Sequence, residues 1–297
     1  IKQVRRTYKY RMYQNDKANQ HLFDQINIAG IIWNHCLALQ KRYYRLTKKY
    51  IHKYDLQEHI ARLARETKRF AFWKKVGSQA RQDIVARLDE AYQRLFKKKG
   101  GKPRFKKVKK YKSFTLKQKA GWALHPDKKE VRQKKTGNGK GYHRGIGVVT
   151  IQKRVYKYIK HRPLKGEIKT VTIKRDSLGR LWICFSVEEK IEIPEVSTSR
   201  IGGFDFGLSV FLTDHTGKNY HNPEYLKQDL PRIRSLNRSL SRKKKGSNNR
   251  RKTRYLLARG HARVDDKRRH FHYEQAHQLC KDYDVLVFED LNEEAHE

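Results

Sequence analysis

The chain has 297 residues, with 71 Lys or Arg against 30 Asp or Glu and a formal net charge of +41. So large an excess calls for a polyanion as counter-charge, and with no apolar run near the ~18 residues of a spanning helix, nucleic acid is expected rather than a membrane. Cys36, Cys184 and Cys280 are scattered without a C-x-x-C pair, which excludes a cysteine zinc site within these residues and a disulfide framework, and fits a reducing, cytoplasmic compartment.

Aromatic residues are plentiful beside the basic ones, with 17 Tyr, 12 Phe and 4 Trp, so folded domains with base-stacking surfaces are expected rather than a disordered arm. Residues 1–14 read as one strand. From Asn15 or Asp16 a helical pattern begins, with Leu22, Ile26, Ala29, Trp33 and Leu37 on one face. Asp55 and Glu58 have capping-box spacing ahead of Leu56, Ile60 and Leu63. Ser78 is placed to cap a third helix whose stripe is Ile84, Leu88, Ala91, Leu95 and Phe96. Residues 15–99 therefore read as a helical domain.

Between Lys97 and Lys119 there are twelve Lys or Arg and no acid, with Gly100, Gly101 and Pro103 breaking the helix. Phe105, Tyr111 and Phe114 lie within this run, so strands with their lysines facing phosphate are expected. Thr136 to Gly141 lacks the spacing of a phosphate loop and reads as a flexible loop. Thr170–Arg175 and Leu181–Glu188 flank a turn, and Leu181, Ile183, Phe185 and Val187 alternate as a half-buried strand requires. Residues 100–195 thus read as β-rich, a barrel completed by the first strand, with a basic insertion at about 125–165. After a linker at Pro194–Arg200, residues 198–297 change character: three strands, two helices at about 223–242 and 250–282, and a strand at 284–289. The helices carry Ile233, Leu236 and Leu240, then Leu257, Val264 and Phe271. This order suits a ribonuclease-H-like core.

Two strands of that core present a carboxylate. Asp205 is read mid-strand among Ile201, Phe204 and Phe206, and Glu289 closes the run Val285–Phe288. A buried charge is costly unless paired or metal-bound, and two acids on neighbouring strands make a site for a hard cation such as Mg²⁺. In so basic a chain the metal's expected task is phosphodiester hydrolysis, by a two-metal site that needs at least three carboxylates. Asp214, Asp265 and Asp284 are available, but each is explained as a turn or surface charge, and Asp290 would face the other way. His270, Glu274 and His277 share a helix face but lie in a basic helix without a further partner. Between Pro231 and Arg254 eleven Lys or Arg occur without an acid, including Arg242, Lys243, Lys244, Lys245, Arg250 and Arg251, and read as a nucleic-acid backbone contact.

The segments Asn15–Tyr44, Ser78-Gln79-Ala80, Lys102-Pro-Arg-Phe-Lys-Lys107, Gly203-Phe-Asp-Phe-Gly-Leu208, Leu240-Ser-Arg-Lys-Lys-Lys-Gly-Ser247 and Phe288-Glu-Asp-Leu-Asn292 together resemble the TnpB family. These are RNA-guided nucleases of small bacterial transposons, related to miniature type V CRISPR effectors. The resemblance implies an α+β, multidomain fold: a wedge β-barrel, a helical recognition domain inserted into it, and an incomplete RNase H-like (RuvC) α/β domain. It implies a guide RNA, a target double-stranded DNA, no membrane and one protein copy per RNA. By position, Asp205 and Glu289 match the first two RuvC acids, and Ser78, Gln79 and Gln82 fall where motif DNA is met. Lys102, Arg104, Phe105, Lys106, Lys107 and Lys112 join the basic segments as expected nucleic-acid contacts. The family pattern continues with a third aspartate and a four-cysteine zinc ribbon, so Zn²⁺ is expected only beyond Glu297. The expected activity is Mg²⁺-dependent, RNA-guided DNA cleavage. The alternatives are an RNA-guided DNA-binding protein without cleavage and a transposase acting without RNA.

Overall fold

The computed structural model describes residues 2–14, 16–117, 119–131, 144–192, 200–207 and 209–289. The chain forms two compact units, Ile1–Glu192 and Ile193–Glu297. In the first, helix α1 (Asp16–Thr47) buries all five positions of its predicted stripe, Leu22, Ile26, Ala29, Trp33 and Leu37, and adds Cys36, whose thiol is pushed up to about 12 by burial. Helix α2 (Lys53–Glu66) starts earlier than the expected capping box allows. Its cap is His52, whose ring accepts the Tyr54 N–H, and Asp55 already lies in the first turn. Helix α3 (Ser78–Phe96) likewise has Ser78 inside it and Gly77 at the cap. A Cβ there would lie 2.5 Å from the terminal amide of the Gln152 side chain, which would have to shift. Ile84 and Leu88 are buried as expected, whereas Phe96 is 56% exposed.

The strands of this unit form two antiparallel sheets. In the first, β1 (Lys2–Arg11) pairs along its whole length with β7 (Leu181–Ile191), β7 with β6 (Glu167–Arg175), and β6 with β2 (Ser113–Leu116). Leu181, Ile183, Phe185 and Val187 are all buried, so the predicted alternation sets the inner face. The β6–β7 turn is closed by Asp176, which accepts the N–H groups of Leu178 and Arg180 at 2.9 Å, and by Gly179 at φ +75°. The second sheet has the order β3 (Trp122–Val131), β4 (Arg144–Ile151), β5 (Arg154–Lys160). It joins the first through the Met12–Tyr158 bridge and the Tyr13 N–H, which donates to the Lys157 carbonyl.

This second sheet, within the segment read as a basic insertion, is part of the core of the larger unit. Val149, Ile151, Tyr156 and Tyr158 are buried in the same core as the helices, and Tyr158 packs against Tyr10 and Phe185 at 5.3 and 5.5 Å. The loop read at Thr136–Gly141 lies outside the described residues. Helices and sheets share one hydrophobic core, rather than forming separate bodies at 15–99 and 100–195.

The basic run 97–119 is mostly not strand. Only β2 pairs, and Val108–Lys110 is a short 3-10 turn. The segment is held by Arg175, which donates to the carbonyls of Tyr111 and Val108 at 2.6 and 2.7 Å and to Asn27 at 2.8 Å. Backbone acceptors outside a ladder still need donors, and one guanidinium supplies them. Tyr111 and Phe114 are buried as expected, but Phe105 is 56% exposed.

The second unit has one sheet in the order β10 (Asn219–His221), β9 (Val210–Asp214), β8 (Ile201–Asp205), β11 (Val285–Phe288). β8 and β11 are parallel, and the crossover between β10 and β11 runs through α4 (Tyr225–Arg242) and α5 (Asn248–Asp282). Its core is small: Phe204, Leu212 and Leu279, with Phe211, Tyr220, Tyr283 and Leu286 packed against it. Ile233 and Val264 are buried in the helix pair, while Leu236, Leu240, Leu257 and Phe271 are half-buried. Among the described residues no helix is long and apolar enough to cross a membrane.

Two predictions follow from the packing of the larger unit. A Cβ on Gly147 would lie 2.1 Å from the ring of buried Tyr158, so Gly147→Ala should cost about 1–3 kcal/mol, read as a lower denaturant midpoint. The second concerns His35 and His59, whose rings stack at 5.7 Å with His35 edge-on to Trp73. Burial first, then neighbouring charge, holds both below the usual 6.5. The unfolded chain then binds protons more readily, so their contribution is complete above about pH 6.5 and is lost as the pH falls below it. The double variant His35→Gln/His59→Gln should lose less Tm than the parent on moving from about pH 7.5 to about 5.5.

Candidate functional site

The parallel pairing of β8 and β11 runs Val285–Ile201, Leu286–Gly202, Val287–Gly203 and Phe288–Phe204, and the Glu289 N–H continues it to the Phe204 carbonyl at 3.4 Å. The next residues in this register are Glu289 and Asp205. They share a parity on strands spaced about 4.8 Å apart, so the backbone brings both carboxylates to one place on the sheet. Asp205 is the last residue of β8, not mid-strand as expected, and both acids are exposed. The adjacent Phe206 is also exposed, so the cost of a buried charge is not what constrains this site. Two exposed oxygen-donor groups fit one hard cation that keeps waters and takes phosphate oxygens as its other ligands.

The other acids do not join them. Asp214 pairs with Phe204, on the opposite parity from Asp205. It is buried and accepts from the Thr216 hydroxyl at 2.5 Å, the Thr216 N–H at 2.9 Å and the Lys218 N–H at 3.0 Å. These bonds, that from the Thr216 side chain foremost, hold its carboxyl below the usual range. Asp284 is bound to Arg200 at 2.9 Å at the start of β11. Asp265 lies in a shallow groove on α5 with Arg268 and Arg269. His270 meets Glu274 at 3.1 Å on the surface of α5, without a third ligand. Among the described residues no group of three or more His, Cys, Asp or Glu could hold a metal, and Asp290 lies outside them.

The expected nucleic-acid residues divide into exposed ones and ones engaged by the protein. Ser78 and Gln82 are exposed on the first turns of α3, and Gln79 is half-buried beside Gly121. Lys102, Arg104, Lys107 and Lys112 are exposed, but their strand-free segment is strapped to α1. The Trp33 indole N–H donates to the Arg104 carbonyl at 3.2 Å, and Asn34 exchanges two bonds with the Lys106 backbone at 2.8 and 2.9 Å. Lys106 is exposed as well, and its ammonium lies 3.7 Å over the Trp33 ring. Phe105 sits under Lys41 at 4.8 Å.

In the α4–α5 connection, Arg242, Lys244, Lys245 and Arg251 are exposed. Gly246 takes φ +90°, and Ser247 caps α5 by accepting the Arg250 N–H, which explains why the lysine run ends in Gly-Ser. Arg250 is turned inward. Its guanidinium donates to the carbonyls of Leu240 and Lys243, closing the end of α4, and Lys243 donates to the buried Thr253 hydroxyl. Nothing in the spacing of the basic residues separates Arg250 from Arg251, or marks Arg175 as a core residue; only the carbonyls they meet do.

The family model OrfB_IS605, described as a probable transposase, matches residues 183–296, and the helix-turn-helix model of the same family matches residues 4–49. A Streptomyces pristinaespiralis protein provisionally named an RNA-guided DNA endonuclease is 26% identical over 295 residues, 98% of this chain and 68% of that protein. InsQ of Escherichia coli K12, which carries the same provisional name, is 25% identical over 260 residues, 88% of this chain and 60% of its own length. The chain belongs to the TnpB family. This TnpB chain thus spans about two thirds or less of the length of these relatives. A solved Cas12f1–sgRNA–target DNA complex shares the fold of the TnpB chain, with a TM-score of 0.55 and 13% identity over 97% of this chain and 81% of that one. The residues matched by the helix-turn-helix model form β1 and the single long helix α1.

Arg250 and Arg251 provide a direct test of the division between structural and surface cations. Arg250→Met should destabilise the smaller unit by about 1–3 kcal/mol, since it strands two carbonyls. Arg251→Met should stay within about 0.5 kcal/mol. Urea unfolding followed by circular dichroism distinguishes them, and equal effects would remove the structural role of Arg250.

Proposed function

We propose that this TnpB chain acts in an RNA-guided, Mg²⁺-dependent DNA endonuclease associated with a transposon. The observation that carries the reading is the in-register convergence of Asp205 and Glu289 at the exposed end of two parallel strands. The names of the two relatives and the RNA and DNA in the Cas12f1 complex support the partners: a guide RNA and a target double-stranded DNA. Guide pairing would supply sequence specificity, and Ser78, Gln79 and Gln82 would meet a short flanking motif. The first unit corresponds in this reading to the wedge and recognition parts, and the second to the RuvC part. One protein copy would serve each RNA in the cytoplasm.

Asp205 and Glu289 would hold Mg²⁺, which supplies Lewis acidity at the phosphoryl oxygen and a more acidic bound water. The carboxylates orient the scissile phosphate by fixing the point of positive charge, and their exposure leaves room for the nucleic-acid backbone. A second cation would need oxygen ligands beyond those that the described residues bring together.

Asp205→Ala and Glu289→Ala should each lower plasmid cleavage by at least about a hundredfold, the equivalent of a few kcal/mol of transition-state stabilisation. Filter binding of the co-purifying RNA should be nearly unchanged. Chelation with EDTA should silence the parent, and added Mg²⁺ should restore it. A parallel loss of RNA binding in the alanine variants would refute the metal-ligand role. A parent that binds its RNA and target yet never cuts would instead establish the binding-only reading.

A further inference from the structure

We propose that the aromatic pocket between the end of α1 and the end of α3 holds one unstacked nucleobase of a single-stranded polynucleotide. The pocket has a volume of about 550 Å³, within the range of roughly 300–1,000 Å³ typical of ligand sites. It lies far along the chain from both carboxylates and does not depend on the cleavage reading, because neither guide pairing nor hydrolysis enters the argument.

Three features define its occupant. The first is the wall. Tyr50 meets Tyr92 at 5.4 Å and Phe96 at 5.5 Å, both edge to face, and the Tyr50 hydroxyl donates to Asp89 at 2.8 Å, so the rings are fixed in place. Tyr44 and Phe96 nevertheless remain 57% and 56% exposed. Large planar side chains left open on a rigid wall suit a flat, apolar-faced ligand.

The second feature is Gln40, which lines the pocket, is 2% exposed, and has no hydrogen-bond partner for either its amide nitrogen or its amide oxygen. Leaving both unsatisfied is costly, and no apolar ligand relieves it. A donor and an acceptor side by side, as on the edge of a nucleobase, satisfy both atoms at once when the amide turns towards the pocket.

The third feature is the rim, where Lys41, Lys48 and Lys102 place positive charge around an aromatic interior. Lys48 takes φ +57°, a left-handed position after the last turn of α1 that usually falls to glycine, and its N–H closes the helix on the Tyr44 carbonyl. A base in the pocket carries its phosphates past these ammonium groups. An aliphatic ligand would use the rings but neither the amide nor the lysines.

The test uses the full chain and 12-nucleotide single strands, one RNA and one DNA, each with a central 2-aminopurine or a central abasic site. The parent should quench 2-aminopurine and bind the intact strand about tenfold more tightly than the abasic one. Tyr44→Ala and Phe96→Ala should lose that tenfold preference, and Gln40→Leu should weaken it while leaving Tm unchanged or raised, since it removes an unsatisfied amide. The stronger of the RNA and DNA responses identifies the source of the base. Equal binding of intact and abasic strands by the parent would overturn the proposal. Because the alanine variants alter exposed packing, a 5-bromouracil strand cross-linked to the parent gives an independent reading. Adducts within residues 40–50 or 92–103 support the site, and adducts confined elsewhere overturn it. The cleavage variants Asp205→Ala and Glu289→Ala should quench as the parent does, so failure of the nuclease reading leaves this result standing.

Discussion

The short parallel ladder between β8 and β11 is the contact on which the smaller unit depends. It joins segments separated by 84 residues, and its start is fastened by Arg200, which binds the Asp284 carboxylate while the Arg200 carbonyl accepts the N–H groups of Asp284 and Val285. Bringing such distant segments together costs chain entropy that four paired residues and a small core repay only jointly. Within the ladder the strand period of two does the rest. Once Phe288 is opposite Phe204, Asp205 and Glu289 must follow on one face. A slip of one residue would set Glu289 against the wrong parity, so the register of the ladder also places the two acids.

Excess positive charge makes composition a poor guide to which cations act on a ligand. Arg175 and Arg250 are spent on carbonyls, holding together segments that no ladder supports. The same guanidinium geometry that grips phosphate also grips backbone oxygens, and the fold uses both properties. The strap at Lys102–Lys112 and the α4–α5 connection each combine such inward-facing cations with exposed ones.

The parts of the fold governed by periodicity were legible in the sequence. The α1 stripe, the β6–β7 hairpin and the strand–helix order of the second unit all follow from spacings of three, four and two. The two acids were legible because each ends an apolar run. What could not be read depended on partners distant in the chain. His52 and Gly77 displaced the expected caps, since helix starts are decided by backbone geometry as well as by cap residue type. The segment at about 125–165 was read as a basic insertion, and its Val149, Ile151, Tyr156 and Tyr158 enter the core beside helices distant in the chain. Gln40 sits three residues past Leu37, on the same face of α1, and the structure buries it.

The pairing of β1 with β7 has a consequence for how the chain is made. Arg5 and Glu188, on opposite sides of that ladder, are 183 residues apart. During synthesis the helices can compact from local contacts as soon as they leave the ribosome, but β1 must wait until β7 emerges. Until β7 has emerged, β1, with its five Lys or Arg side chains, therefore has an open edge where its partner will lie.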